Sequence, residues 1–583
     1  MVKPNITFHP SPMKRTILVA LLHLPLTALA QPALDWASTM GGLGSETGSG
    51  ITRDALGNTY IIGSYSDTAD FDPGPGVYNL VPVDIYGDFF VQKLDVNGDF
   101  VWAKGIGSIG GDNGYGIAVD AAGNVYVAGH YRNAADFDPD PVDVFLMTPV
   151  GVQDGFVLKL DTDGEFLWAA TFGNTAVDGC RGIVLNSTGN ILICGFNTGT
   201  ADMDPDPVDV FDLTAVGAYS EAYICELTAL GDFVNAWLVG GTYYQNPFDI
   251  TVDASDNIYM VGRYSGTADF DPGPSTQNRS SVGLTDDIFL LKLNAAGAYQ
   301  WVNTIGSSDD EMSTSVSVDG NGSVHITGEF RGAADFDPGA GVQSMTPFGG
   351  KDVFIATYTS AGQYVWAGQF GGTGDETASS VFALPDGEVL CTGLFSGTAD
   401  LDPGAGVFGL TTNGAFADGF LLQLDNSGSL DWAFAISGPG TDAGSDVLQD
   451  ASGAILCTGY FSDVVDLDIG PGVSSITSSG EFDAFVCTFD ANLSVGTTLD
   501  PFVHPRISIQ PNPFTDRTTI QFAEEQWNAT ITITDGLGRV VRTIAGVNGS
   551  SAIVEKGGLS AGLYVVRIDS GSQPTLSTRL LVR

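Results

Sequence analysis

The sequence predicts an all-β fold: a seven-bladed β-propeller closed by its N-terminal strand, followed by a small C-terminal β-sandwich. Three observations predict it. The phrase Asp-apolar-Asp, usually after Ala and before Pro, recurs with its first Asp at 70, 136, 202, 269, 335, 400 and 466, a period of 66 residues. Tryptophans repeat in step, at Trp36, Trp102, Trp168, Trp237, Trp301, Trp366 and Trp432. Each copy also reads as four short strands separated by Gly- and Asn-rich turns, and repeats of this period build propellers or solenoids.

Composition narrows the function classes. The 583 residues include 69 acidic and 22 basic side chains, a formal charge of −47. That balance excludes nonspecific binding to nucleic acid or to an anionic membrane as the main activity. With 43% hydrophobic residues and 77 glycines, the chain is too apolar for acidic disorder and too glycine-rich for a helical protein.

Residues 1–30 read as a cleaved signal peptide. Met13-Lys14-Arg15 is its basic start, Ile17 to Leu29 its apolar run, and Ala28-Leu29-Ala30 its small-residue cleavage site. Either Met1 or Met13 serves as the start. The run is too short to span a bilayer, and no later stretch holds 18 continuous apolar residues, so no transmembrane segment is expected.

The propeller is expected over 31–495. In the second copy the four strands lie at 100–103, 116–119, 125–128 and 156–160, with tight turns at Asp120-Ala121-Ala122-Gly123-Asn124 and Asp161-Thr162-Asp163-Gly164. Apolar residues on both alternations suit sheets covered on both faces, as stacked blades are. The last copy ends at Phe485-Val486-Cys487-Thr488-Phe489 without a tryptophan strand, while the Trp36 strand precedes any complete copy. If Trp36 completes the final blade, the ring closes and no edge strand is left unpaired. The copies resemble SBBP β-propeller repeats in Gly116-Ile117-Ala118-Val119-Asp120, Gly123-Asn124-Val125-Tyr126-Val127-Ala128-Gly129 and Asp154-Gly155-Phe156-Val157-Leu158-Lys159-Leu160-Asp161. The resemblance covers residues 34–495 and implies the fold, but no single activity.

A linker is expected over 496–505 and a separate module over 506–583, where eight basic residues outnumber six acidic ones. The module carries Pro511-Asn512-Pro513-Phe514, Gly538-Arg539-Val540-Val541 and Gly562-Leu563-Tyr564-Val565-Val566-Arg567, set among alternating strands. It resembles the type A sorting domain of the type IX secretion system of the Bacteroidetes group. That resemblance implies that residues 506–583 engage the type IX machinery, that the chain crosses the outer membrane, and that the domain is then removed. The product is expected to be secreted or attached to the cell surface.

Up-and-down connectivity puts the long acidic loops and the crossovers between blades on one rim. The candidate cation ligands are Asp70, Asp72, Asp136, Asp138, Asp140, Asp202, Asp204, Asp206, Asp269, Asp271, Asp335, Asp337, Asp400, Asp402, Asp466 and Asp468. Two roles fit them: each Asp caps a turn, as Asp72-Pro73-Gly74 suggests, or the pairs ligate Ca²⁺ through hard oxygens. Two more acidic rows share the rim. One is Glu46, Asp112, Asp178, Asp310, Asp375 and Asp442; the other is Asp88, Asp154, Glu221, Asp287, Asp352, Asp418 and Asp483. The fourth copy departs, with Gln245-Asn246 where an acid is expected.

The tryptophans read as packing between blades. The six cysteines lack zinc spacing and read as buried thiols, with at most one pair in register for a disulfide. Of the histidines beyond residue 30, namely His130, His325 and His504, none recurs or sits in a nucleophile or metal motif. The reading is therefore a non-catalytic binding or structural module on the outside of the cell, with calcium as an optional stabiliser and an unknown glycan or protein ligand. The alternative is an extracellular glycan lyase or hydrolase using acids on the loop face. Copy four, around Tyr243-Tyr244-Gln245-Asn246-Pro247, is the expected place for a distinct site.

Overall fold

The computed structural model describes residues 32–140, 142–468, 475–490, 507–510, 516–535, 539–559, 562–569 and 576–582. The expected signal peptide and linker lie outside these residues, as does Pro511-Asn512-Pro513-Phe514. The described residues form strands and turns with no helix.

One four-strand antiparallel path recurs seven times. Sheet 1 runs Glu46–Arg53, Thr59–Tyr65, Asp88–Leu94, Phe100–Ile106, and sheet 2 runs Asn113–Val119, Val125–Tyr131, Asp154–Leu160, Phe166–Phe172. Sheet 3 is Gly179–Leu185, Ile191–Asn197, Glu221–Leu227, Phe233–Gly241, and sheet 4 is Gln245–Val252, Ile258–Tyr264, Asp287–Leu293, Tyr299–Ile305. Sheet 5 is Glu311–Val318, Val324–Phe330, Asp352–Tyr358, Tyr364–Gly372, and sheet 6 is Thr377–Ala383, Val389–Phe395, Asp418–Leu424, Leu430–Ile436. Sheet 7 takes Asp442–Gln449, Ala454–Phe461 and Asp483–Asp490, and its fourth strand is Ala33–Gly42 from the start of the chain, with Trp36 opposite Thr488. The first strands touch in sequence from sheet 1 to sheet 7, and the first strand of sheet 7 touches that of sheet 1.

The local code is simple. Between first and second strands, Asp120 Oδ1 accepts from the Ala122 and Asn124 amides, both at 2.9 Å, and Gly123 takes φ 85°. This Asx-type turn reverses the chain in two or three residues. The middle strands are buried along all or nearly all of their length, as Val125–Tyr131 and Asp154–Leu160 are throughout, because a neighbouring sheet covers each face. The core therefore lies between sheets: Phe89 of sheet 1 stacks on Phe156 of sheet 2 with centroids 4.8 Å apart. The tryptophans lie at the same interfaces. Trp102, Trp168 and Trp301 donate Nε1–H to the turn carbonyls of Thr162, Ala229 and Ser360 in the following sheet. Gly297, at φ 76°, comes so close to Trp237 that a Cβ would lie 1.9 Å from the indole.

The long loop is not featureless. Ala69–Asp70 and Asn79–Leu80 form a small hairpin, and Asp70 pairs with Gly41 at the end of the preceding sheet's fourth strand. Equivalent hairpins extend sheets 3 and 5 to six strands.

In the C-terminal unit, Ile507–Gln510, Arg517–Asp535, Val540–Glu555, Gly562–Asp569 and Leu576–Val582 hydrogen-bond as one five-stranded antiparallel sheet. Register breaks interrupt the pairing of its two longest strands between Gln521 and Ile531. Ile520, Phe522, Ile531, Ile533, Val554, Val566 and Ile568 form its core.

Candidate functional site

The predicted acidic loops cap turns. Asp70 Oδ1 accepts from the amides of Asp72 (3.0 Å) and Tyr78 (2.8 Å), and Asp72 Oδ1 from Gly74 (2.8 Å). Asp269 and Asp271, Asp335 and Asp337, and Asp400 and Asp402 repeat the arrangement, and Asp466 accepts from the Asp468 amide. In sheets 2 and 3 the chain of caps lengthens, through Asp136, Asp138 and Asp140 and through Asp202, Asp204 and Asp206. The intervening Phe71 is fully buried, 4.7 Å from Phe90, so the alternation runs apolar inward. Calcium takes six to eight oxygens. Here one oxygen of each capping Asp faces N–H donors, and among the described residues no three His, Cys, Asp or Glu side chains gather as a metal group.

The other two acidic rows meet at the sheet junctions. The Asp112 amide donates to Gly87 O, next to Asp88, and Glu46, Asp178, Glu311, Glu376 and Asp442 do the same beside the acid that opens the preceding sheet's third strand. These positions correct the sequence reading in two copies: Glu311 and Glu376 fill the junction, while Asp310 and Asp375 are exposed. The junction acids are at most 2% exposed. Loop amides bind one oxygen of the third-strand acid, as Val83 N does Asp88 Oδ2 at 2.8 Å, while Oδ1 of Asp88, Asp154, Asp287, Asp352 and Asp418 is buried without a partner. Burial, and then the facing acid, raise these carboxyls: Glu46 and Asp442 to about 8, Asp88, Asp287 and Glu376 to about 7. The carboxyls sit where a side chain of the fourth strand would otherwise stand; a Cβ on Gly371 would lie 2.7 Å from Asp352 and 2.8 Å from Glu376. At the junction of sheets 3 and 4, Gln245 takes the place of an acid beside Glu221, its amide donating to Ser220 O.

A feature absent from the sequence reading defines the axis. Every first strand carries a β-bulge at the same place. The extra residues are Ser49, Tyr115, Arg181, Phe248, Thr314, Ser379 and Ser445, and all seven line one central opening. A bulge re-aims its side chain. Four sheets aim a small hydroxyl at the axis, whereas sheets 2, 3 and 4 aim Tyr115, Arg181 and Phe248. The Arg181 guanidinium lies 4.4 Å from the Tyr115 ring centroid and 5.9 Å from that of Phe248. Beside it, on the loop rim of sheets 3 and 4, a cavity of about 590 Å³ is walled by Arg181, Phe196, Tyr219, Tyr244, Phe248 and Arg263. That volume is in the range of small-molecule sites. Arg263 reaches Asp286 at 3.1 Å, and its Nε is buried without a partner. The cavity includes the divergent segment around Tyr244, Asn246 and Pro247 that the sequence singles out.

Candidate catalytic groups are held by the fold. Asp249, raised to about 6 by burial, accepts from Ser315 Oγ (3.0 Å) and Val316 N (2.9 Å) of sheet 5. Asp446 accepts from Ser380 Oγ (2.7 Å) and from Ile51 N (2.9 Å). Burial, then the Arg181 and Arg132 charges, lower His130 to about 3, leaving a neutral ring. His325 Nδ1 lies 2.9 Å from Thr357 Oγ1 inside sheet 5. The six cysteines are free and buried; Cys457 and Cys487 are in register, Cys194 and Cys225 are one residue apart.

Known proteins share these parts. Residues 508–583 match the secretion system C-terminal sorting domain, and residues 101–130 match the β-propeller repeat called SBBP. The repeat match spans the fourth strand of sheet 1 and the first two strands of sheet 2. The chain is 22% identical over 481 residues to an uncharacterized WD repeat-containing protein of Acanthamoeba polyphaga mimivirus, covering 68% of this chain and 34% of that one. It is 22% identical over 546 residues to the regulatory protein FlaEY of Caulobacter vibrioides, covering 86% and 54%. The chain thus spans a third to about half the length of these curated relatives. Among solved structures, the WD40 repeats of RRP9 align with a TM-score of 0.40 at 9% identity, covering 79% of this chain and 99% of that chain. PorZ of Porphyromonas gingivalis, a surface component of the type IX secretion system, aligns at 0.17 and 10%, covering 94% and 100%. Neither likeness is close enough to carry a function. The sorting tail implies handling by the type IX secretion system, and therefore export to a secreted or surface location.

Proposed function

We propose that the chain is an exported, non-catalytic binding module: a seven-bladed propeller over residues 31–495, closed by its N-terminal strand, carried out of the cell by a sandwich-type sorting domain over 506–583. Cyclic contact of the first strands and the pairing of Ala33–Gly42 with Asp483–Asp490 support the closed ring. The observation that carries the binding role is the asymmetry of the axis. Seven equivalent bulges aim side chains at one opening, and three adjacent ones replace small hydroxyls with an arginine between two rings. The acidic loops act as turn caps in this reading. Calcium binding by Asp70, Asp72 and their equivalents is the competing proposal, decided by melting in Ca²⁺ and in EDTA.

A second reading, glycan cleavage, rests on Asp249, whose raised carboxyl borders the axial opening. Its hydrogen bonds to sheet 5 favour a latch between sheets. Incubating the purified chain with a panel of polysaccharides tests the choice. No new reducing ends or unsaturated products are expected; turnover lost on Asp249→Asn or Asp446→Asn overturns the non-catalytic role. The exported form is expected to lack residues from about 506 onward, and an intact C-terminus on exported protein contradicts the sorting reading.

A further inference from the structure

We propose that the cavity between sheets 3 and 4 binds a hexuronate, a sugar ring bearing one carboxylate, with Arg181 and Arg263 as its anion receptors. The inference rests on the binding-module reading and names the class of ligand.

The charge pattern comes first. In a chain of net charge −47, the two arginines that border this cavity keep donor capacity that no described acid takes up. The Arg181 side chain makes no ion pair or hydrogen bond with any described residue; three rings face it instead, Tyr115 at 4.4 Å and Phe196 and Phe248 at 5.9 Å. Asp249, which also borders the axial opening, turns its carboxylate to Ser315 and Val316 of sheet 5. Arg263 gives Nη1 to Asp286 and keeps a buried, unpartnered Nε. Both guanidiniums border the same cavity. A guanidinium is suited to a planar carboxylate, and removal from water strengthens the pairing.

The walls specify what carries the carboxylate. Phe196 and Phe248 form apolar sides, Tyr219 and Tyr244 also line the cavity with centroids 4.7 Å apart, and Tyr243 stacks on Tyr219 at 5.2 Å. Tyr243 and Tyr244 are 39% and 45% exposed, unlike the fully buried tyrosines of the core. Flat rings with a wet edge offer a surface to the C–H face of a sugar, and their hydroxyls meet its hydroxyls. The acid-rich surface repels the further charges of a long polyanion wherever they come within the screening length of about 8 Å. One basic cavity in such a surface selects a single acid sugar, as at a chain end, over a run of charges.

The junction explains how the site arose. Everywhere else a second buried acid closes the rim; here Gln245 removes that charge, and Asn246 and Pro247 lead into the Phe248 bulge.

The test titrates the full chain with glucuronate and galacturonate, using calorimetry and saturation-transfer NMR, with glucose, galactose and glutarate as controls. Saturable binding of either uronate is expected, with neutral sugars and ring-less glutarate at least about tenfold weaker. Arg181→Gln is expected to weaken uronate binding about tenfold. Arg263→Gln, at a side chain 38% exposed, decides the matter if Arg181→Gln melts early. Absence of uronate binding, uronate binding unchanged in both variants, or glutarate binding as tightly overturns the assignment. Chromatography of the same mixtures separates the two readings: bound but unchanged uronate supports both, whereas consumed uronate sinks the non-catalytic role and leaves the site standing.

Discussion

The rim between sheets 7 and 1 and the rim between sheets 3 and 4 occupy equivalent places and differ in one charge. At the first, Glu46 and Asp483 are both buried, and Glu46 is raised to about 8. At the second, Glu221 lies beside Gln245, and the cavity with two arginines opens next to it. Positions that repeat around the ring hold the sheets together. The place where the repeat fails opens into a cavity bordered by two arginines, one of them without an ion pair among the described residues. Regularity marks folding, and departure from it marks the site.

If regular positions carry stability, a core side chain between two ordinary sheets dominates. Phe156→Ala removes a ring packed against Phe89, Tyr131 and Phe137, and is expected to cost about 3–5 kcal/mol in urea unfolding. Arg181→Gln is expected to leave the urea midpoint in place.

The junction acids predict an unusual pH profile. A carboxyl raised by folding leaves stability intact below its unfolded value, near 4, and loses it as pH climbs through the folded value. With folded values of about 6 to 8 at Asp154, Asp418, Asp88, Asp287, Glu376, Glu46 and Asp442, melting temperature is expected to fall between pH 5 and pH 8. Turn-capping acids act oppositely. Asp319, lowered to about 2, despite burial, by the His325 imidazole 3.6 Å away and by hydrogen bonds from the Asn321 and Ser323 amides, supplies stability lost only in strong acid. Glu46→Gln copies the natural Gln245 and is expected to stabilise by about 1–3 kcal/mol at pH 8 and little at pH 5. A variant with no gain at pH 8 breaks the reading of buried, facing acids.

The reverse change sharpens it. Gln245→Glu installs a second acid beside Glu221 and is expected to cost about 1 kcal/mol at pH 8, steepening the fall in melting temperature. The smallest effect concerns calcium. Because the Asp loops cap turns, melting in Ca²⁺ and in EDTA at fixed ionic strength is expected to agree, and Asp136→Asn with Asp138→Asn to leave that agreement intact. A rise in Ca²⁺ that the double variant reduces establishes the competing role.

Much of this was legible in the residues. The 66-residue step, the tryptophans and the Asp-x-x-Gly turns each report a local constraint, and each maps onto a strand or turn. The unpaired Trp36 strand pointed to its partner across the whole chain. Consecutive acids defeated the reading at Asp309-Asp310-Glu311 and Asp375-Glu376, because only strand register says which one turns inward. The bulges were invisible. One extra residue shifts every later side chain to the other face, and a period-two pattern interrupted by glycine carries no mark of it. The meeting of Tyr115, Arg181 and Phe248, about one repeat apart, follows only once those bulges are placed. Divergence at Tyr243 to Pro247 was readable, but its chemistry was not.

The division of labour between repeated and departing positions is tested most directly by measuring uronate binding and melting temperature at pH 8 on Glu46→Gln and Arg181→Gln side by side. The account predicts a crossover: Glu46→Gln melts higher and binds as before, while Arg181→Gln melts as before and loses the ligand. Two variants that each shift both readouts, or an Arg181→Gln protein that binds unchanged, contradict it.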